Sequence, residues 1–258
     1  QRQMCIRDSR HYAADLSSQA EVRALLALLN RDLERLDVLI NNAGAWFTTR
    51  QISADGVEMT WALNHLSYVQ LTHGLLALLT QTAALHGEAR IINQASGAHR
   101  GGRFHWGNLQ FDGNWDSDGR GSSGPGWAVY CQSKLANVTH AFALARQLEG
   151  TGVVANAIHP GVVVTGFSQN NGLLYKIAAP VRRLFNRSSA SHGAAPAVFL
   201  ATGESAGRTS GAYYGPPARQ EESNPLASSI DVQDRLLAVS MEQILSLIHI
   251  SEPTRHAS

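Results

Sequence analysis

The stretch Leu36-Asp37-Val38-Leu39-Ile40-Asn41-Asn42-Ala43-Gly44 decides how the chain is read. Residues 36–40 are a short buried-strand candidate, and the four that follow are polar or small, so the strand stops there. Outward from it the pattern repeats. Upstream, Asp15-Leu16-Ser17-Ser18 resembles a helix start, followed by Val22, Leu25, Leu26, Leu29 and Leu33 at helical spacing. Downstream, residues 55–80 read as one long helix, residues 89–93 (ARIIN) as a strand, and residues 127–148 as a helix with an inner stripe of Leu135, Val138, Phe142, Ala145 and Leu148. Residues 153–158 form the next strand candidate, closed by His159-Pro160-Gly161. Helices are expected at 172–185, 189–202 and 230–244, and a last strand at 212–214. Strands alternating with helices of this length imply an α/β fold, a doubly wound parallel sheet with helices on both faces, in one domain without internal repeats.

The chain has 258 residues, 44% hydrophobic and 16% charged, so it can bury a sizeable core. A formal net charge of +1 without a basic run points away from nucleic-acid or membrane surfaces. No apolar stretch is long enough to span a bilayer. Two cysteines, Cys5 and Cys131, are no disulfide framework and fit a reducing, cytoplasmic setting. Lysine is rare: Lys134 and Lys176 are the only two among 21 basic residues.

The two ends read differently. The first nine residues are QRQMCIRDS and the last fourteen LSLIHISEPTRHAS. Reverse-translated, MCIRDS and LSLIHIS fit the two strands of one sequence that resembles a sequencing-library transposon adapter. Residues 1–9 and 245–258 are therefore expected to be non-native, and residues 10–244 to be the domain.

Chemistry-bearing residues stand at the expected strand ends. Tyr130-Cys131-Gln132-Ser133-Lys134 places a phenol and an ammonium on one helix face, four residues apart. The ammonium favours the phenolate, which lowers the tyrosine pKa towards working pH. The phenol can then exchange a proton with a carbonyl or alcohol oxygen. By itself the pair also fits an ordinary helix surface. Ser96 follows ARIINQA, where open α/β sheets bind ligands and a hydroxyl can bond a reacting oxygen; a turn or cap serine reads equally well. The Asn42-Ala43-Gly44 backbone lets a ligand approach, or is a polar turn. Asn64 is polar within an apolar helix, so it is a site residue or a satisfied buried amide. Thr165, after Pro160-Gly161-Val162-Val163-Val164, can hold a carboxamide or sit in a plain turn.

In this order the motifs resemble the short-chain dehydrogenase/reductase family. The resemblance covers residues 12 to about 244, and ADGVEMTWALNHLSYVQLTHGLL, YCQSKLANV and AIHPGVVVT are similar to its retinol dehydrogenase-like branch. It implies an oxidoreductase that interconverts a carbonyl and an alcohol on a lipophilic small molecule, using NADP or NAD, with NADP favoured. It implies Tyr130 as acid/base, Lys134 on the nicotinamide ribose and tuning Tyr130, Ser96 on the substrate oxygen and Asn64 supporting a water in the proton relay. Asp15 and Leu16 match positions beside the adenine, Asn42, Ala43 and Gly44 the adenosine ribose, and Pro160, Gly161, Val163 and Thr165 the carboxamide end. No metal is implied, and a homo-oligomer fits.

The sequence departs from the family where a TGxxxGxG turn would seat the pyrophosphate; it has none, nor the strand that chooses between the two cofactors. The sheet is therefore expected to lack its first, central strands, and the chain alone to bind cofactor poorly and be inactive. Ala95 stands where the family often has a second serine. Residues 101–127, a flap or a plain insertion, and residues 166–187 are expected to choose the substrate. A silent binding module or an inactive gene fragment are the other readings.

Overall fold

The computed structural model describes residues 9–113, 124–161 and 190–251. Helix α1 (Gln19–Asp32) starts where Ser18 caps it, its hydroxyl accepting from the Glu21 N–H at 3.4 Å. Its Val22 and Leu26 pack on Leu75. Strand β1 (Val38–Asn41) follows.

The helix expected at 55–80 starts later and ends later. Asp55-Gly56 is spent on a turn, with Gly56 at φ +77° and its N–H bonded to the Ser53 carbonyl. The buried Glu58 carboxylate then caps a short α-turn, Met59–Trp61, by accepting from the Trp61 N–H at 2.7 Å. A π-turn, Ala62–Leu66, leads into α2 (Ser67–His86), which stops at Gly87 in the left-handed region, φ +94°. Strand β2 (Ala89–Gln94) leads into a 3-10 turn, Gly97–Gly101. Helix α3 (Gly124–Gln147) and strand β3 (Val153–Ile158) complete the next unit. Then come α4 (Ala190–Thr202), β4 (Tyr213–Gly215), β5 (Arg219–Glu221) and α5 (Ile230–Ser251).

Among the described residues the strands form one sheet in the order β1-β2-β3-β4-β5. The pairs from β1 to β4 are parallel, and β5 adds an antiparallel edge. Alternate residues serve opposite faces. Ile91 and Ala155 pack against Leu79 and Leu144, from α2 and α3 on one side. Ile92 and Ile158 pack against Leu200 of α4 on the other. Helices on both faces of a mainly parallel sheet are as expected.

The described strands are contiguous, each bonded to the next, and β1 is an edge, where Ile40 is 43% exposed. Two expectations need correction. Strand β5 went unread because Arg219-Gln220-Glu221 is polar and owes its strand form to pairing with β4. The last helix runs past Ile244 to Ser251, because LSLIHI carries nothing that breaks a helix. The helix expected at 172–185 lies outside the described residues.

Candidate active site

Parallel strands deliver their carboxyl ends to one side of the sheet, and the loops after β1 and β2 meet the first turns of α3 there. Helix α3 is fixed against the loop after β1 by Gly126, where any Cβ would collide with the Phe47 carbonyl oxygen. Tyr130 and Lys134, four residues apart on α3, both face the end of β2.

Ser96 leaves β2 with extended backbone and caps the 3-10 turn, its Oγ accepting from the Ala98 N–H at 3.3 Å. The same hydroxyl acts on the Tyr130 phenol in the sense that favours its ionised form. The turn is anchored by His99. One ring nitrogen, Nδ1, lies 2.7 Å from the Ser96 carbonyl oxygen, and Nε2 accepts from the Asn224 N–H at 3.3 Å. A backbone N–H can only donate, so Nδ1 carries the proton and donates to Ser96. Burial pushes His99 down to about 4, which keeps this tautomer neutral at ordinary pH.

Lys134 is 3% exposed, and its Nζ donates to the Gln94 carbonyl at 3.1 Å. That oxygen also accepts from Asn137 Nδ2 at 3.1 Å. Nζ stands 5.9 Å from the centre of the Tyr130 ring and 5.7 Å from that of Tyr68. Burial pushes Lys134 down to about 7. Burial pushes Tyr130 up to about 12, against the opposing effect of the Ser96 hydroxyl. The sequence reading had the lysine lowering the tyrosine pKa. In this structure desolvation dominates both groups, and it disfavours the charged form of each.

Asn64 lies in the π-turn with its side chain fully engaged. Its Oδ1 accepts from the Ala45 N–H at 2.8 Å, and Nδ2 donates to the Ala45 carbonyl at 2.9 Å and Ser133 Oγ at 3.0 Å. It thereby ties the loop after β1 to α3. A Cβ on Gly44 would come within 3.0 Å of Lys134 Nζ and 3.1 Å of Asn64 Oδ1. Gly44, Asn64, Ser96, Tyr130 and Lys134 are thus brought together. Asn42 and Gly44 are exposed and Ala43 is half-buried. Asn41 bonds across to Asn93 on the neighbouring strand at 2.9 Å.

Other residues fall elsewhere. Asp15 is exposed and spent on the turn before α1, accepting from the Ser17 N–H and hydroxyl at 2.9 and 2.7 Å, bonds that hold its carboxyl below the usual range. Leu16 packs with Leu39 and Leu75. Pro160 is half-buried and Gly161 exposed at φ +70°, at the carboxyl end of β3. Val163 and Thr165 lie outside the described residues, as do residues 166–187 and Trp115. Phe104 and Trp106 stack at 4.7 Å, but they pack on Trp61 and Leu236, which removes most of their surface from any substrate. Two site neighbours escaped the sequence reading. Tyr68, whose hydroxyl donates to the Ala43 carbonyl at 2.8 Å, is one helical turn beyond Asn64. His99 stands three residues after Ser96. Among the described residues no His, Cys, Asp and Glu cluster can hold a metal, and no helix is long and apolar enough to cross a membrane.

The family model for short chain dehydrogenase matches residues 3–108. Retinol dehydrogenase 13 from Homo sapiens is 35% identical over 231 residues, covering 88% of this chain and 66% of that protein. Retinol dehydrogenase 13 from Mus musculus is 32% identical over 249 residues, covering 94% of this chain and 70% of that protein. The chain spans about two thirds of the length of the curated relatives it matches. The solved structure of the Pseudomonas aeruginosa RhlG/NADP active-site complex superposes with a TM-score of 0.55 at 27% identity, covering 78% of this chain and 73% of that one.

Proposed function

Because the chain belongs to the short-chain dehydrogenase/reductase family, we propose that it carries the catalytic site of a nicotinamide-dependent oxidoreductase that interconverts a carbonyl and an alcohol on a lipophilic small molecule. One observation carries this reading: the Ser96 hydroxyl acts on the Tyr130 phenol beside the buried Lys134, near a strand end where Asn42 and Gly44 are exposed.

The residues present fit a nicotinamide ribose. Gly44 leaves free the volume a Cβ would fill in front of Lys134, and the ammonium can donate to sugar hydroxyls. Asn42, Ala43 and Gly44 offer backbone to the adenosine ribose, Asp15 and Leu16 would lie beside the adenine, and Pro160, Gly161, Val163 and Thr165 would meet the carboxamide end. The RhlG/NADP complex supports NADP slightly over NAD. When bound, the nicotinamide supplies or accepts the hydride. The chain's own residues handle orientation and protons. Ser96 donates to the substrate oxygen and holds it near Tyr130. In the reducing direction Tyr130 gives its proton to that oxygen as negative charge develops there. A phenol pushed up to about 12 is fully protonated at neutral pH and suits this role. Lys134, pushed down to about 7, stands near working pH and can restore the proton. Asn64 holds the helix break and Ala45 in place, where a water would extend the relay. The pyrophosphate would be met by a glycine-rich turn that the 258 residues do not contain, so this polypeptide is expected to bind NADPH and NADH poorly.

Tyr130→Phe in the full-length protein is expected to lower kcat by about a hundredfold or more, with folding unchanged. Reduction should decline above the Lys134 value of about 7 while oxidation rises with pH, since alcohol oxidation needs the deprotonated phenol. Steady-state rates in both directions across pH check this; full turnover by Tyr130→Phe would remove Tyr130 from the chemistry.

A further inference from the structure

Trp127 stands one helical turn before Tyr130 on α3, on the same face. The two rings are 5.4 Å apart and tilted by 33°. The edge of Trp46, from the loop after β1, meets Trp127 at 5.3 Å and 73°. Trp46 is buried, whereas Trp127 is 36% exposed and is the exposed tryptophan among those described. Trp127 is thus braced by an edge-to-face contact and by the Gly126–Phe47 approach, yet keeps part of its surface exposed, one helical turn from the phenol.

A large, rigid ring held with part of its surface exposed can serve as a binding surface. Its face carries a quadrupole that stacks on flat aromatic rings and gives a flexible alkyl chain only dispersion. With the Trp127 and Tyr130 rings 5.4 Å apart, a ring stacked on Trp127 would sit a short tether from an oxygen held by Ser96 and Tyr130. We propose that Trp127, backed by Trp46, is the specificity-determining wall of the substrate pocket and selects aryl ketones and aryl aldehydes, with the ring directly on the carbonyl or a carbon away. The proposal rests on the reading of Ser96 and Tyr130 as the carbonyl-facing pair.

Acetophenone and 2-octanone have the same number of carbons and differ in shape, so their kcat/KM ratio in the full-length protein reads the wall. The wild type should favour acetophenone. Trp127→Ala should reduce that preference about tenfold, mainly through KM, and Trp127→Phe should restore most of it. Acetophenone should also quench the tryptophan fluorescence of the wild type saturably, and do so far less in Trp127→Phe. An active Trp127→Ala enzyme with an unchanged ratio, or a wild type that prefers 2-octanone, overturns the wall and leaves the carbonyl chemistry standing. Tyr130→Phe with unchanged turnover overturns the chemistry instead; the quenching, which needs no turnover, then decides whether Trp127 binds aryl carbonyls.

Discussion

Helix α3 buries titratable groups in two places, and the two regions differ in what lies opposite. Near its start, Tyr130 and Lys134 share a chamber with Ser96 and face the glycine backbone after β1 and β2; a Cβ on Gly97 would meet nothing within 4 Å. Near its middle, His140 is stacked on His73 at 6.2 Å and meets the edge of His65 at 6.1 Å. Burial pushes all three imidazoles down, His65 to about 3. His140 Nε2, His65 Nδ1 and His73 Nε2 have no hydrogen-bond partner among the described residues. Desolvation therefore perturbs both regions alike. What separates them is that the polar ends of the first converge beside the exposed Asn42 and Gly44, whereas His65 and His140 of the second are fully buried and His73 is half-buried. A shifted pKa marks burial, and it takes an approach path to make burial into a site.

Replacing Lys134 should sharpen this contrast most. Its folded value of about 7 lies below the ordinary value of 10.5, so between those values the unfolded chain binds a proton that the folded chain does not. Stability is then lost as pH falls from 10.5 towards 7, and the full penalty is present below 7. Lys134→Met should raise unfolding stability at neutral pH by on the order of a few kcal/mol while kcat falls by about two orders of magnitude. Denaturant titration beside steady-state kinetics tests both. A variant that is less stable at pH 7 and still active would make Lys134 structural.

The histidine region should respond to acid instead. The folded values lie below the ordinary value of 6.5, so stability should fall as pH drops from 6.5 towards about 3 for His65. Each such histidine adds a slope of about 1.4 kcal/mol per pH unit. His140→Gln should remove one share of that slope and leave turnover intact. A loss of kcat in a well-folded His140→Gln protein would mean that the two regions are coupled.

These two regions also show what the sequence made legible. Strands β1, β2 and β3 were readable because their apolar runs are short and each ends in polar or small residues. Tyr130, Lys134 and Ser96 were readable because their spacing along α3 and their place at a strand end are local features. The π-turn was not, because ALNHL continues the apolar pattern and its distortion arises from Asn64 reaching Ala45 and Ser133 across the fold. The start of that helix was misplaced because Asp55-Gly56 looks like a helix beginning and is spent on a turn, although Gly87 was an available stop signal. The anchoring of Ser96 by His99 and Asn224 joins residues 125 positions apart, and the opposite pull of burial on Tyr130 depends on solvent exclusion that no motif encodes.

The glycines give the smallest and cleanest test of the contrast. Gly126→Ala drives a Cβ into the Phe47 carbonyl and should cost about 1–3 kcal/mol. Gly97→Ala meets open space and should change stability by about 0.5 kcal/mol or less. Thermal unfolding of the two variants side by side checks the order, and a reversed order would place the opening elsewhere.

The measurement that bears most directly on the site is a double-mutant cycle between Ser96 and Tyr130, read in kcat on the full-length protein. If both hydroxyls act on one substrate oxygen, Ser96→Ala and Tyr130→Phe each cost about a hundredfold or more, and the double variant should be within about threefold of Tyr130→Phe alone, because residues that act as a unit are not additive. Losses that multiply in the double variant would mean that the two hydroxyls work independently, and would contradict a shared site.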